Sequence, residues 1–205
     1  MPPRLDRRGK PVRAPKLRLM IFCEGALTEP AYFEGLARAV GNGLVRVESE
    51  PGAGVPMTLI QKALAEKKRR GRARDSYESK DQIWVAFDRD EHPNVPQAIE
   101  LGRQHKIGVA FSNPCFEIWA LIHFDDRDGP IHRHDAQREL ARLMAGYDRK
   151  RAKSLDLPLM LPRTNDAIAR ADRMRKRRVE QGDPLGCPYT TVDQLVALIV
   201  KNGKG

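Results

Sequence analysis

Three acidic residues follow short apolar segments of the chain and are the clearest candidates for chemistry. Glu24 comes directly after the segment 17–23, and Asp88 and Asp90 follow the segment 83–87. Short, nearly all-apolar segments of this kind are typical of buried strands. In an extended chain, residues i and i+2 point to the same side, so Asp88 and Asp90 can face one ion. Because carboxylate oxygens suit Mg²⁺ or Mn²⁺, we expect a divalent metal site built from these acids.

The same pattern has a simpler interpretation, in which the acids are surface residues that punctuate turns. An isolated pair of aspartates separated by one residue does not distinguish the two. The placement of the acids favours the metal site, because carboxylates gathered at one end of a sheet repel one another unless a cation neutralises them.

The order of the predicted elements favours an α/β fold. Apolar strands alternate with amphipathic helices, which predicts a mainly parallel four-stranded sheet flanked by helices on both faces. In such a sheet, sites form at the carboxyl ends of the strands, which is where the three acids lie. The predicted strands are 17–23, 44–47, 83–87 and 107–111, and the predicted helices between them are 31–40, 57–74 and 94–104.

The chain divides into three predicted regions. Residues 1–16 are rich in proline and arginine and are expected to form a disordered basic arm. Residues 17–125 are expected to form the α/β core. Residues 126–205 are expected to form a helical C-terminal extension packed on this core, with helices near 135–145, 165–180 and 191–201.

Other polar residues are weaker candidates. Glu117, on a helix that begins near the end of the fourth strand, is expected either to supply a further ligand or base, or to interact with the helix N-terminus. Glu29 is expected to bond the start of its helix rather than to join the acids. Lys150 lies in a basic segment and is a candidate contact for a scissile phosphate, although such lysines are commonly solvated.

The charge balance suggests a polyanionic partner. The chain of 205 residues has 37 lysines and arginines against 27 acids, a net charge of +10. Three basic clusters near residues 1–18, 67–74 and 170–178 favour nucleic acid, and Arg173 and Arg177 are candidate contacts. Solvated faces and a solubilising tail are the simpler interpretation.

The composition and the absence of certain motifs also give expectations about location in the cell and about ATP binding. Hydrophobic residues make up 40% of the chain, enough for a core. No apolar run approaches the ~20 residues that span a bilayer, and the N-terminus lacks the apolar segment of a secretory signal. Three widely spaced cysteines fit a reducing cytoplasm. The sequence has no glycine-rich P-loop, so it is not expected to bind ATP in that way.

Several blocks of the sequence together resemble a known family. An apolar strand ending in Glu-Gly and a later strand ending in Asp-x-Asp resemble the Toprim catalytic domain. The blocks CEGALTEPAYFEGL (23–36), VAFDRDEH (85–92) and FSNPCFEIWALIHF (111–124) are similar to those of the RloB-like family and occur in the same order. Later segments at 147–150, 167–171 and 189–196 extend this resemblance over roughly residues 17–199.

The resemblance implies a Toprim-type, Mg²⁺-dependent endonuclease that acts in anti-phage defence and abortive infection with an ABC-type ATPase partner. Glu24 would be the Toprim glutamate, and Asp88 and Asp90 its Asp-x-Asp pair. Some Toprim proteins have a third aspartate two residues after this pair, where this chain has His92. The resemblance therefore leaves open whether one or two metal ions bind. RNA such as tRNA is favoured over DNA. The alternative is a non-catalytic subunit that binds nucleic acid or docks on the ATPase.

Overall fold

The computed structural model describes residues 17–49, 55–72, 81–89, 94–148 and 154–203. The predicted arm at 1–16, Asp90 and Lys150 lie outside the described residues. The elements are β1 (Leu19–Cys23), α1 (Thr28–Ala39), β2 (Val45–Ser49), α2 (Pro56–Arg72), β3 (Gln82–Asp88), α3 (Val95–Gln104), β4 (Gly108–Asn113), α4 (Glu117–Leu121), α5 (Arg133–Leu143), α6 (Leu157–Met160), α7 (Thr164–Glu180), β5 (Tyr189–Thr190) and α8 (Val192–Lys201).

The sheet is mostly parallel and has one strand more than predicted. Its order is β2-β1-β3-β4-β5, and β1 to β4 are parallel while β5 pairs antiparallel to β4. The prediction of an α/β fold is confirmed, but the prediction of four strands is wrong. The fifth strand has only two residues and lies in a region predicted to be helical. A strand of this length is too short to give a periodic signal in the sequence.

Helices cover both faces of the sheet, as the alternation of elements predicts. Alternate residues of β1 divide between two cores: Ile21 and Cys23 pack with buried residues of α1, α4 and α8, whereas Phe22 packs with α2 and α3. The same alternation in β3 sends Ala86 to the α1 side. Asp88, two residues later, therefore belongs to the α1 side of the sheet.

The C-terminal region packs closely on the α1 side. The Thr191 hydroxyl accepts a hydrogen bond from the Phe111 backbone N–H at 2.9 Å and donates to the Val109 carbonyl at 2.8 Å. These bonds attach the start of α8 to β4. None of the described helices is long and apolar enough to cross a membrane.

Candidate functional site

A cavity of about 260 Å³ opens at the carboxyl ends of β1 and β3. These strands are neighbours in the sheet, so the residues that follow them meet at one edge. Four carboxylates and one guanidinium contribute to the walls. The lining residues are Glu24, Gly25, Ala26, Leu27, Thr28, Glu29, Asp88, Phe116, Glu117 and Arg133.

Glu24 is placed by the continuation of β1 beyond its last residue. Its backbone N–H donates to the Ala86 carbonyl at 3.0 Å, so the pairing with β3 persists one residue past Cys23. The chain then turns through 24–27 into α1, and Glu24 remains half-buried at the cavity wall. Glu24 therefore lies at the carboxyl edge of the sheet, directly after β1.

Asp88 ends β3, and its environment disfavours a negative charge. Burial raises the pKa of Asp88 well above its usual range, and the charges of Glu29 and Glu117 raise it further. A hydrogen bond from the Phe116 backbone and the charge of Arg133 lower the pKa, but not enough to bring it back to its usual range. The Arg133 Nη2 lies 3.8 Å from Asp88 Oδ2. Negative charge therefore exceeds positive charge around Asp88.

Glu29 joins the acids, which corrects the prediction that it only bonds the start of its helix. It is 8% exposed, lines the cavity and acts on the pKa of Asp88. A methyl group added at Gly25 would overlap the Glu29 carboxylate, so this carboxylate packs directly against the turn after β1. Side chains in a helix lean towards its N-terminus, and for a residue in the first turn of α1 this direction leads into the cavity.

Glu117 is buried at the start of α4 and is held by two side chains. Its Oε1 accepts a hydrogen bond from the Tyr147 hydroxyl at 2.5 Å and another from Gln137 Nε2 at 3.3 Å. Glu117 thus both lines the cavity and occupies a helix N-terminus, so the two interpretations of this residue are compatible. Tyr147 lies in the segment 147–150 that resembles the family, but nothing in the sequence relates Tyr147 or Gln137 to Glu117, because they lie 30 and 20 residues from it along the chain.

The two cysteines near the cavity are poor nucleophiles. Burial, followed by the charges of Glu29 and Glu34, raises the pKa of the Cys23 thiol. Burial, followed by the charges of Glu117 and Asp88, raises the pKa of Cys115 as well. Since the reactive form of cysteine is the thiolate, neither residue is suited to covalent catalysis.

Arg173 and Arg177 are in ion pairs with a loop between α4 and α5. Arg177 Nη2 lies 3.1 Å from Asp126 Oδ1, and Arg173 Nε lies 3.6 Å from Asp126 Oδ2. Arg177 also donates to the Arg127 carbonyl at 2.8 Å. Neither arginine lines the acidic cavity, so any contact of theirs with nucleic acid would lie elsewhere and would compete with these pairs.

The donor chemistry of the cavity fits a hard divalent cation. Its walls offer carboxylate oxygens, the ligands that Mg²⁺ and Mn²⁺ prefer, and burial followed by the charges of Glu29 and Glu117 raises the pKa of Asp88. Within the described residues, however, no three histidine, cysteine or acidic side chains are placed to hold a metal ion together. Asp90, the third predicted ligand, lies outside that part of the chain.

The sequence matches the family model of RloB-like proteins over residues 19–199. The chain belongs to the RloB-like family. The resemblance noted from the sequence blocks is therefore confirmed. The matched region contains every residue that lines the acidic cavity, from Glu24 to Arg133. Neither a curated protein nor a solved structure matched the chain.

Proposed function

We propose that this RloB-like protein is a divalent-metal-dependent nuclease that hydrolyses phosphodiester bonds, with RNA such as tRNA favoured over DNA. The observation that carries the proposal is the gathering of Glu24, Glu29, Asp88 and Glu117 around one cavity at the carboxyl edge of a parallel sheet. Parallel α/β sheets typically bind their ligands at this edge.

Grouped carboxylates cost the fold stability unless something offsets their repulsion. Burying like charges near one another is unfavourable, and a bound divalent cation would remove most of this cost. The protein as a whole has a net charge of +10, so the acidic cavity contrasts with a basic molecule. This combination suits a polyanionic substrate that is attracted by the surface and meets a cation at the cavity.

Glu24 and Asp88 are the residues that would hold the ion, with Asp90 completing the set. Their positions at the ends of the adjacent strands β1 and β3 agree with the arrangement expected from the Toprim resemblance. When bound, Mg²⁺ or Mn²⁺ would supply charge stabilisation to the phosphate and acidify a water molecule.

Glu117 is positioned to handle a proton. The Tyr147 hydroxyl and the Gln137 amide both donate to Oε1, which fixes the orientation of the carboxylate. A fixed carboxylate at the wall of the cavity is suited to accept a proton from an attacking water. Glu29, packed against Gly25, adds negative charge that acts on Asp88.

The resemblance to RloB-like proteins also supports a cellular role. We propose that the protein acts in the cytoplasm as the effector of an anti-phage defence system and is activated in a complex with an ABC-type ATPase. External activation would protect the host from unrestrained cleavage of its own nucleic acid. Expression of the chain alone should therefore slow growth little.

One observation favours a second candidate, a non-catalytic subunit that binds nucleic acid or docks on the ATPase. The part of the chain that the structure describes contains no ready group of three metal ligands. In this alternative, the acids have a structural role only. Metal-dependent cleavage distinguishes the two candidates.

The proposal is tested by incubating the protein with labelled tRNA, single-stranded RNA, single-stranded DNA and duplex DNA, in Mg²⁺, Mn²⁺ or EDTA, with and without the ATPase partner. We expect cleavage that requires the metal and disappears in Asp88→Asn. Asp172→Asn, at an exposed acid of α7 paired with Lys176, is the matched control and should cleave normally. Absence of cleavage under every condition, or cleavage by Asp88→Asn, would contradict the proposal.

A further inference from the structure

Arg133 is the residue of the acidic cavity that the metal hypothesis leaves without a role. Its side chain is 36% exposed, while that of Asp88, 3.8 Å away, is 13% exposed. The guanidinium therefore stands on the solvent side of the acids. Among the described residues, it is the cation that lines this cavity.

The contact between Arg133 and Asp88 is an ion pair rather than a hydrogen bond. A separation of 3.8 Å is within ion-pair range, yet it is longer than the 2.7–3.2 Å of an N–H···O hydrogen bond. A guanidinium has five donors in a rigid fork whose geometry matches two oxygens of a phosphate. Because a guanidinium has five donors, Arg133 can contact a phosphate at the cavity in addition to the partners it already has.

The segment before Arg133 is fixed in place by partly buried hydrogen bonds. Arg178, 6% exposed, donates to the Asp128 carbonyl at 2.5 Å, and the Cys187 thiol donates to the Ile131 carbonyl at 3.2 Å. The His132 side chain then caps α5 by accepting from the His134 N–H. The backbone from which Arg133 projects is thus anchored on both sides.

The ion pairs of α7 extend this anchoring. Arg177 donates to the Arg127 carbonyl, and Arg127 pairs with Glu139 of α5 at 2.6 Å. The basic cluster of α7 therefore holds the loop that leads to Arg133. An anchored backbone fixes the point from which the Arg133 side chain projects, which favours a defined contact.

We propose that Arg133 binds the scissile phosphate of the nucleic acid substrate, beside the carboxylates that hold the cation. The proposal rests on the proposed nuclease function and adds the residue that positions the substrate. The fork of Arg133 would hold non-bridging phosphate oxygens. It would strengthen its contact as negative charge accumulates there in the transition state.

The test compares Arg133→Gln with Arg138→Gln, a matched variant at an exposed arginine of the same helix that pairs with Asp135. Binding of a fluorescent single-stranded RNA is measured by anisotropy over a range of salt concentrations with Ca²⁺ present. Loss of one phosphate contact should reduce the slope of log K against log salt by ~0.7 in Arg133→Gln. Arg138→Gln should keep the wild-type slope, and an equal slope in all three proteins would overturn the proposal.

Kinetics provide the second measurement. We expect Arg133→Gln to lower kcat on the order of 10²–10³-fold with a smaller change in KM, because the contact strengthens in the transition state. Arg133→Lys keeps the charge but not the fork. Its salt slope should therefore match that of wild type, and its kcat should lie between those of wild type and Arg133→Gln. If Arg133→Gln does not fold, the lysine variant decides, and a wild-type kcat in that variant overturns the bidentate contact.

The two measurements separate this inference from the proposed function. A wild-type protein that binds RNA but never cleaves it would refute the nuclease proposal, while the salt slopes would still decide whether Arg133 contacts a phosphate. A wild-type protein that cleaves, with Arg133→Gln indistinguishable from Arg138→Gln, would refute the role of Arg133 alone.

Discussion

Replacing Asp88 by asparagine should stabilise the metal-free protein while removing its activity. In the native protein, burial and the charges of Glu29 and Glu117 raise the pKa of Asp88. Asparagine removes the charge but keeps an oxygen that accepts the hydrogen bond from the Phe116 backbone. What is lost is the ion pair with Arg133, a partly exposed contact that is worth about 0–1 kcal/mol.

The size of the effect follows from proton linkage. Each unit by which the pKa of Asp88 is raised in the folded state costs about 1.4 kcal/mol at a pH above that pKa. For a protein of this size, about 1 kcal/mol shifts Tm by roughly 2–4 °C. Asp88→Asn should therefore raise Tm in EDTA at pH 8. Cleavage should fall on the order of 10²–10³-fold.

The raised pKa of Asp88 also determines how the stabilising effect of Asp88→Asn changes with pH. The ionised Asp88 destabilises the fold above its raised folded-state pKa, and this penalty disappears as the pH falls below the ordinary value of about 3.9. The difference in Tm between Asp88→Asn and wild type should thus be largest near pH 8 and vanish towards about pH 4. Thermal unfolding of both proteins with EDTA or Mg²⁺, between about pH 4 and pH 8, measures this difference in Tm.

Two controls sharpen the result. Asp172 is exposed and its pKa is lowered by a hydrogen bond from Lys176, so Asp172→Asn should not raise Tm. Mg²⁺ should raise the Tm of wild type and of Asp172→Asn but not that of Asp88→Asn. Two results would refute this prediction. One is an Asp88→Asn protein with a lower Tm than wild type in EDTA at pH 8, and the other is a rise in its Tm on adding Mg²⁺ as large as that of wild type.

Three further variants test other parts of the site and core. Glu29→Gln should raise Tm in EDTA, since it removes a charge that acts on Asp88, and it should weaken Mg²⁺ binding measured by calorimetry. Tyr147→Phe removes the donor to buried Glu117 and should lower the free energy of unfolding in urea by about 1–3 kcal/mol, together with kcat. His123 is buried, and burial lowers its pKa to about 4. Because its unfolded-state pKa is ~6.5, stability should fall by about 2 kcal/mol from pH 7 to pH 5, and His123→Gln should show a smaller fall.

The variants of Glu29 and His123 have matched controls. Glu34→Gln lies on the exposed side of the same helix as Glu29 and should leave Tm and Mg²⁺ binding unchanged. His105→Gln replaces an exposed histidine and should keep the wild-type dependence of stability on pH. A wild-type pH dependence in His123→Gln would show that another group causes the acid destabilisation.

The strands were predictable because buried parallel strands are continuous apolar runs. The segments 17–23 and 83–87 lie within two residues of β1 and β3 as observed. Once the strands and their parallel order are known, the meeting of Glu24 and Asp88 at one edge follows. Glu117 was brought to the same edge by the short turn after β4, as its position in the sequence suggested.

The side chains contributed by helices were harder to predict. Whether Glu29 faces the helix start or the cavity depends on the rotation of α1 against the sheet, which the pattern of apolar residues fixes only coarsely. Arg133 and Tyr147 come from segments beyond residue 125, and nothing in their spacing relates them to β3. Their contacts depend on tertiary packing of α5 and the loops around it.

The ion pairs of the C-terminal region were missed for a related reason. A run of arginines at 170–178 has the composition of a nucleic-acid contact, but Asp126 lies 51 residues before Arg177 and Asp128 lies 50 residues before Arg178. The fold brings these acids to Arg177 and Arg178. The sequence shows the charges, and only the structure shows which of them already have partners.

Mn²⁺ binding to the full chain, followed by electron paramagnetic resonance, tests the central claim that the acidic cavity is a divalent cation site. The comparison is between wild type, the double variant Glu24→Gln/Asp88→Asn, and the control double variant Glu34→Gln/Asp172→Asn, which removes the same number of charges from exposed positions. The account predicts saturable Mn²⁺ binding in wild type and in the control, and its loss in Glu24→Gln/Asp88→Asn. Equal binding in all three proteins, or no saturable binding in wild type, would contradict it.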